Sequence, residues 1–245
     1  MLLGAFRALG LMEGMLALGG VSAIIWFALF ALLAIAREPG FDGCRPRDLP
    51  LLAAACIAAL LPSAWIAAVA LFATGLYLAA TSDGGARDGR IAVVLLALSG
   101  PLLWGRLLMV AFAPLLLSLD SHFVALIAGT SASGNTVRFA GSAGRFVVGI
   151  PCSSIHNISL AIVLWGTLVA LLKLRIDARL VGFGVAATVA MFLVNAARLA
   201  SIALFPADFD LLHLGAGAGA FGWASMIAAA LIVGYGAHDA ALRQS

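Results

Sequence analysis

Eight nearly uncharged apolar runs constrain this chain more than any other feature: Met15–Ala36, Leu49–Leu61, Ser63–Thr81, Ile91–Trp104, Leu107–Ala128, Ser153–Leu172, Leu180–Leu204 and Leu214–Ala237. Several reach the roughly 18 to 20 residues that an α-helix needs to cross a bilayer. Only 10% of the residues are charged and 64% are apolar, whereas a soluble domain carries about 25% charged residues. The expected fold is therefore all-α: a polytopic membrane helix bundle of seven to eight spans, with the lipid bilayer as its solvent. No long polar linker divides the chain, so residues 1–245 read as one membrane-embedded domain.

The count is open because the second and fourth runs are short for a full crossing. Pro62-Ser63 could turn the chain between two spans or only kink one long helix. The first run is too long for a signal-peptide core and lacks a small-residue cleavage site, so it reads as an uncleaved span. Polar segments at 37–48, 82–90, 173–179 and 205–212 separate the runs. The net charge of +3 is carried by short loops, where basic residues orient helices; it does not imply a nucleic-acid partner. Cys44, Cys56 and Cys152 are too few and too scattered for a disulfide framework or a metal site. No metal or organic cofactor is implied.

Lys173, Arg175 and Arg179 cluster in one short loop, which the positive-inside rule assigns to the cytoplasm. Cys152 is then one span away, at the outer face. Arg198 follows Arg179 by a helical distance of about 28 Å, and His213 opens the last span, so both reach that face too. Eight spans would put the N-terminus, with Arg7, inside. One feature resists: Arg37, Arg45 and Arg47 would then fall in an outer loop, offset only in part by Glu38, Asp42 and Asp48.

Residues 129–150 are not a plausible span. Thr136–Phe139 and Arg145–Val148 are rich in β-branched and aromatic residues, and Ala140–Gly144 supplies turn residues between them. A small extracytoplasmic β-hairpin is expected here, delivering the chain to Pro151-Cys152.

The chemistry concentrates after it. A proline just before a helix and serines in its first turn are start signals, so the Cys152 sulfur sits near a helix N-terminus, where the dipole favours an anion. A free cysteine is also an ordinary small core residue. Arg198 is costly inside an apolar span, although an arginine at a helix end can snorkel. Asn195 precedes it by one turn on the same face, suited to Arg198, to a substrate backbone or to a plain interhelical contact. His213 can take up and return protons near neutral pH, or simply cap a span. The glycines at 215, 217, 219 and 222 permit close packing behind it. His156, one turn after Cys152, is a rival base, with Asn157 beside it. Asp120 could orient an imidazole, and His122 is a further polar group nearby. Together a thiol, a base and a guanidinium suit acyl transfer.

Cysteine in a Cys-Ser-x-Ile context, then Asn-x-x-Arg, then histidine, at the ends of the last three spans, resembles the exosortase/archaeosortase family. The likeness covers roughly residues 100–237; the earlier spans share only hydrophobicity. It implies a membrane cysteine protease or transpeptidase with Cys152, Arg198 and His213 as catalytic residues. Asn195, Ser153, Ser154 and His156 would support them or position substrate. The implied partners are exported proteins with a C-terminal sorting signal: a short motif such as Pro-Glu-Pro, a transmembrane helix and a basic cluster. The implied location is the bacterial inner membrane, with the site facing outward and a link to exopolysaccharide or envelope biogenesis. The family's usual Cys-Ser-Gly is Cys152-Ser153-Ser154 here, which points to a divergent branch with another substrate. A non-catalytic scaffold of an exopolysaccharide-assembly system is the competing expectation. A transporter fits less well, because the charges gather at one face and no internal repeat is visible.

Overall fold

The computed structural model describes residues 22–39, 46–82, 86–141 and 143–244. Arg7, Asp42, Cys44, Arg45 and the start of the first apolar run lie outside the described residues. Helices α1 (Ala23–Ala36), α2 (Leu49–Leu60), α3 (Ala64–Thr81), α4 (Arg87–Ser99) and α5 (Gly105–Ala128) precede a small sheet. Helices α6 (Ser154–Leu171), α7 (Ala178–Leu204), the short α8 (Phe209–His213) and α9 (Ala216–Gln244) follow it. Among the described residues five helical segments are long and apolar enough to cross a membrane: α3, the joined α4–α5 run, α6, α7 and α9. The helices α1 and α2 are apolar but shorter. The expected bundle is thus present, while a count of seven to eight spans is not established.

The main departure from expectation is in the middle. Ile91–Trp104 and Leu107–Ala128 are not two helices separated by a loop. A π-helical turn over Gly100–Trp104 takes up Pro101, and the chain runs helically from Arg87 to Ala128, 42 residues. At 1.5 Å per residue that is about 63 Å, twice the roughly 30 Å of a bilayer core. The run is kinked at Phe112 (φ −130°, ψ 16°), two residues before Pro114, whose ring cannot continue the helix ladder. Beyond the kink, α5 wraps the N-terminal end of α6. Ser153 Oγ donates to Met109 Sδ (3.7 Å) and Ser154 N donates to Asp120 Oδ2 (3.0 Å), although the two α5 residues stand three turns apart. Gly129 ends α5 in the left-handed region (φ 63°), and Thr130 N donates to Ala125 O at 2.9 Å, a Schellman-type stop.

Pro62 does turn the chain. Leu61 before it is extended, as a residue preceding proline prefers, and Ser63 caps α3 by accepting from Ile66 N. Helices α2 and α3 form an antiparallel pair, tied by Tyr77 Oη donating to Asp48 Oδ1 at 2.5 Å.

Charge gathers at one end of the bundle. Glu38, just past α1, takes both Arg90 of α4 (2.6 Å) and Lys173 past α6 (2.9 Å). These two cations hold the Glu38 carboxyl at about 2. Asp177 caps α7 by accepting from Leu180 N (2.7 Å) and pairs with Arg243 of α9, whose guanidinium keeps the Asp177 carboxyl below its usual range. Arg179 meets Asp239 at 3.0 Å. The start of the 37–48 segment therefore lies at the same end of the bundle as 173–179, not opposite it.

Helix α6 is central: 56% of its apolar window is buried, against 11–28% for the other four long segments. Ile35, Val94, Val163, Met191 and Val233 form the core around it. Helix α9 packs so closely on α7 that a Cβ at Gly236 would stand 2.5 Å from Phe183 Cγ. Outward faces carry Phe30, Val110 and Leu231, each well over half exposed. Apolar surface of that extent suits lipid, not water.

The expected hairpin is present and gains a strand. Strands β1 (Ala132–Ser133), β2 (Thr136–Arg138) and β3 (Arg145–Val147) form an antiparallel sheet in sequence order, with Val137 opposite both Ala132 and Phe146. Val137, Phe146 and Val148 bury against Val124 of α5 and Leu199 and Ile202 of α7. Ala140 N donates to Ala203 O at 2.8 Å, giving a partner to one of the carbonyls left unpaired at the end of α7.

Candidate active site

The structure places Cys152 two residues before the first residue of α6, in a single 3-10 turn, Ile150–Cys152, rather than in the helix itself. Ser153 is the N-cap: its hydroxyl accepts from Ile155 N at 3.3 Å. Ser154, the first helical residue, is buried, and its amide is bound by the carboxyl of Asp120. Asn195 of α7 is 5% exposed and donates through Nδ2 to Cys152 O (2.9 Å) and Ser154 Oγ (3.4 Å). The peptide units around the cysteine are therefore gripped from two neighbouring helices.

His213 is brought in by the short α8. Its Nε2 stands 3.4 Å from Cys152 Sγ, within hydrogen-bonding reach for sulfur. The imidazole is backed by Phe209, ring centroids 4.9 Å apart. Phe209 in turn meets Phe139 and Phe146 edge-on at 6.4 and 6.5 Å. These two rings stack on each other across the sheet at 5.6 Å. The sheet thus aims the imidazole, through an aromatic stack that sequence spacing could not reveal.

Arg198 and His156 are placed differently. Neither contacts the sulfur by a hydrogen bond among the described residues. Both line a cavity of about 140 Å³ between α6, α7 and α9, beside Pro151 and Ser153. Asn195 also borders it. The Arg198 Nε is buried without a hydrogen-bond partner. A cavity of about 380 Å³ between α2 and α3 is lined by Leu, Ala, Val, Ile and Trp side chains with Thr74 and carries no group suited to chemistry.

Of the residues read from sequence, Cys152, His213, Asn195, Ser153 and Ser154 converge directly; Arg198 and His156 share the adjoining cavity. Asp120 does not orient an imidazole as expected but binds the α6 amide. His122 is exposed, with its Nδ1 against Ser118 O at 2.7 Å, away from the sulfur. Cys56 is exposed on α2. Met109 and Phe209 are the contributors the sequence did not mark, since both are ordinary apolar residues until the kink and the sheet are in place. No group of three or more potential metal-ligating side chains occurs among the described residues.

The arrangement can do one kind of chemistry directly. A thiol beside an imidazole can lose its proton to that base and attack an electrophilic carbon. Compared with protein-family models, with curated proteins and with solved structures, the chain matches none.

Proposed function

We propose that this chain is a membrane thiol peptidase or transpeptidase of exosortase-like type, acting on C-terminal sorting signals of exported proteins. The observation that carries the reading is the 3.4 Å approach of Cys152 Sγ to His213 Nε2 at the end of the bundle opposite the ion-pair cluster. His213 takes the thiol proton, and sulfur bonds to the carbonyl carbon of the substrate. Collapse of the tetrahedral adduct breaks the carbon–nitrogen bond, and the imidazolium returns its proton to the leaving amine. Water or an acceptor amine then displaces sulfur from the thioester. Asn195 holds the Cys152 carbonyl, and the cavity beside the cysteine receives the substrate residue next to the scissile bond.

The same reading sets orientation. Arg37, Arg87, Arg90, Lys173, Arg175, Arg179 and Arg243 share the end remote from Cys152, which the positive-inside rule assigns to the cytoplasm. The thiol then faces the outside of a cell inner membrane, where an exported protein's signal stalls.

The test is a co-expressed protein bearing a sorting signal, followed by the size shift that processing produces. Cys152→Ala and His213→Ala should accumulate unprocessed substrate while inserting at wild-type levels. Continued processing by a stably inserted Cys152→Ala protein overturns the assignment and leaves a scaffold of an assembly system as the reading.

A further inference from the structure

The sheet carries a charge pattern that its fold does not need. Strand alternation buries Val137 and Phe146 and leaves Arg138 and Arg145 exposed on the outer face, directly opposite each other across the β2–β3 ladder. Opposed like charges weaken a strand pair. Neither guanidinium has an acid or hydrogen-bond partner among the described residues, and the exposed Asp208 and Asp210 form no ion pair with them. Val147 shares that outer face and is 61% exposed, and Ile150 just past the strand is exposed as well. Arginines set among bare apolar side chains are the composition of a membrane interface. The height of the sheet agrees. Ala140 N donates to Ala203 O at 2.8 Å, which fixes the hairpin to the last turn of α7. Arg179, in the first turn of α7, pairs with Asp239 at the opposite end, and from Arg179 to Ala203 the helix rises about 36 Å. A bilayer measures about 30 Å across its hydrocarbon and about 40–45 Å with its headgroups. With Arg179 in one headgroup layer, the sheet therefore sits in the other.

We propose that Arg138 and Arg145 form a site for the phosphate of an anionic lipid in the leaflet on the cysteine side, and that its occupancy tightens the sheet that backs His213. The forks of two opposed guanidinium groups can bracket one phosphodiester through paired N–H donors, and the phosphate cancels their repulsion across the ladder. Each arginine is next in sequence to a ring of the aromatic stack, Phe139 and Phe146, whose centroids lie 5.6 Å apart. That stack meets Phe209, which backs His213. A soluble anion would account for the arginines but leave Val147 and Ile150 in water, whereas a lipid surface takes both. The effect on His213 rests on the reading of Cys152 and His213 as a working pair; the lipid site does not, and the experiment separates the two.

Full-length protein with Cys44 and Cys56 replaced is reconstituted in phosphatidylcholine vesicles with and without phosphatidylglycerol, and two quantities are read. Lipid retained by the protein is counted by native mass spectrometry, and Cys152 alkylation is timed with neutral iodoacetamide. Wild type should retain phosphatidylglycerol over phosphatidylcholine at this site by about tenfold or more. Arg138→Gln/Arg145→Gln should lose one such lipid, because the basic residues at the other end are the same in both proteins. Phosphatidylglycerol should speed wild-type alkylation about two- to fivefold. The double variant has no repulsion to relieve, so it should be fast in phosphatidylcholine alone and unmoved by phosphatidylglycerol. Arg145→Glu gives Arg138 an acid directly opposite, which supports the ladder, and should match the double variant in both readouts. Equal lipid retention by wild type and the double variant, or a wild-type rate that phosphatidylglycerol leaves unchanged while His213→Ala lowers it, overturns the proposal. So does an acceleration that survives in either variant. Equal acceleration of wild type by a soluble polyuronate in phosphatidylcholine vesicles would show a soluble polyanion as the occupant and overturn the lipid assignment. Failure of the nucleophile reading appears elsewhere, as alkylation no faster than a free thiol's and indifferent to His213→Ala, and the retained lipid alone then decides the site.

Discussion

Replacing Asp120 separates support of the nucleophile from mere burial of a charge. Its carboxyl is 7% exposed and accepts from Ser154 N at 3.0 Å. That amide is one of the few a helix start leaves unpaired. In Asp120→Ala the amide is orphaned in a dry environment, at a cost of about 1–3 kcal/mol. For a chain of this size, about 2–4 °C per kcal/mol gives a fall in melting temperature of roughly 2–12 °C. Asp120→Asn keeps an acceptor oxygen. It loses about 0.3–1 kcal/mol of charge–dipole attraction but no longer buries a charge, so it should stay within about 1 kcal/mol of wild type. Thermal unfolding in detergent, read alongside alkylation of Cys152, distinguishes the two variants. Asp120→Ala should melt lower and should also alter the labelling rate, because the freed turn carries the sulfur away from His213. Equal melting and equal labelling of the Ala and Asn variants would refute the idea that this hydrogen bond holds the cysteine turn in place.

Two further outcomes follow from contacts at opposite ends of the bundle. Phe209→Ala removes the ring behind His213, a contact of the kind that contributes about 0.5–1.5 kcal/mol. Cys152 alkylation should slow toward the His213→Ala rate with the helical content unchanged, and a wild-type rate would mean that something else aims the imidazole. Glu38, held at about 2 against an ordinary 4.5, stabilises the fold when ionised. Its contribution is complete above pH 4.5 and lost as pH falls toward 2. The stability difference between wild type and Glu38→Gln should therefore be constant above that range and vanish at its acid end; a difference that persists at pH 2 would contradict the ion-pair account.

The helices were legible because apolar length alone dictates them in a bilayer, and the order Cys152, Asn195, Arg198, His213 was legible because a span of fixed length returns each residue to the same face. What the sequence concealed was three-dimensional choice. Asp120 and Ser154 are far apart in the chain, and nothing local says that a kink at Phe112 turns α5 over the start of α6. His213 looked like a span opener, yet it ends a five-residue helix whose placement depends on Phe139 and Phe146 in the sheet. By spacing His156 is a rival base to the favoured His213. Helix α6 starts only at Ser154, so the cysteine belongs to the preceding turn and a one-turn i,i+4 relation no longer holds.

The most consequential concealment was at Gly100–Arg106. Glycines, a proline and an arginine between two apolar runs ordinarily mark a loop. Here the π turn accommodates Pro101, and the exposed Arg106 lies over the Trp65 ring at 6.0 Å, so neither residue breaks the helix. Joining the two runs makes one helical segment, Arg87–Ala128, whose start stands by Glu38 and Lys173 and whose end stands by the cysteine turn. Arg37 and Glu38 stand beside Lys173 there, where the ion pairs require them. The π turn thus does more than shape one helix. It carries the chain from the ion pair of Arg90 with Glu38 at one end of the bundle to Asp120, which binds the amide next to the cysteine turn, at the other.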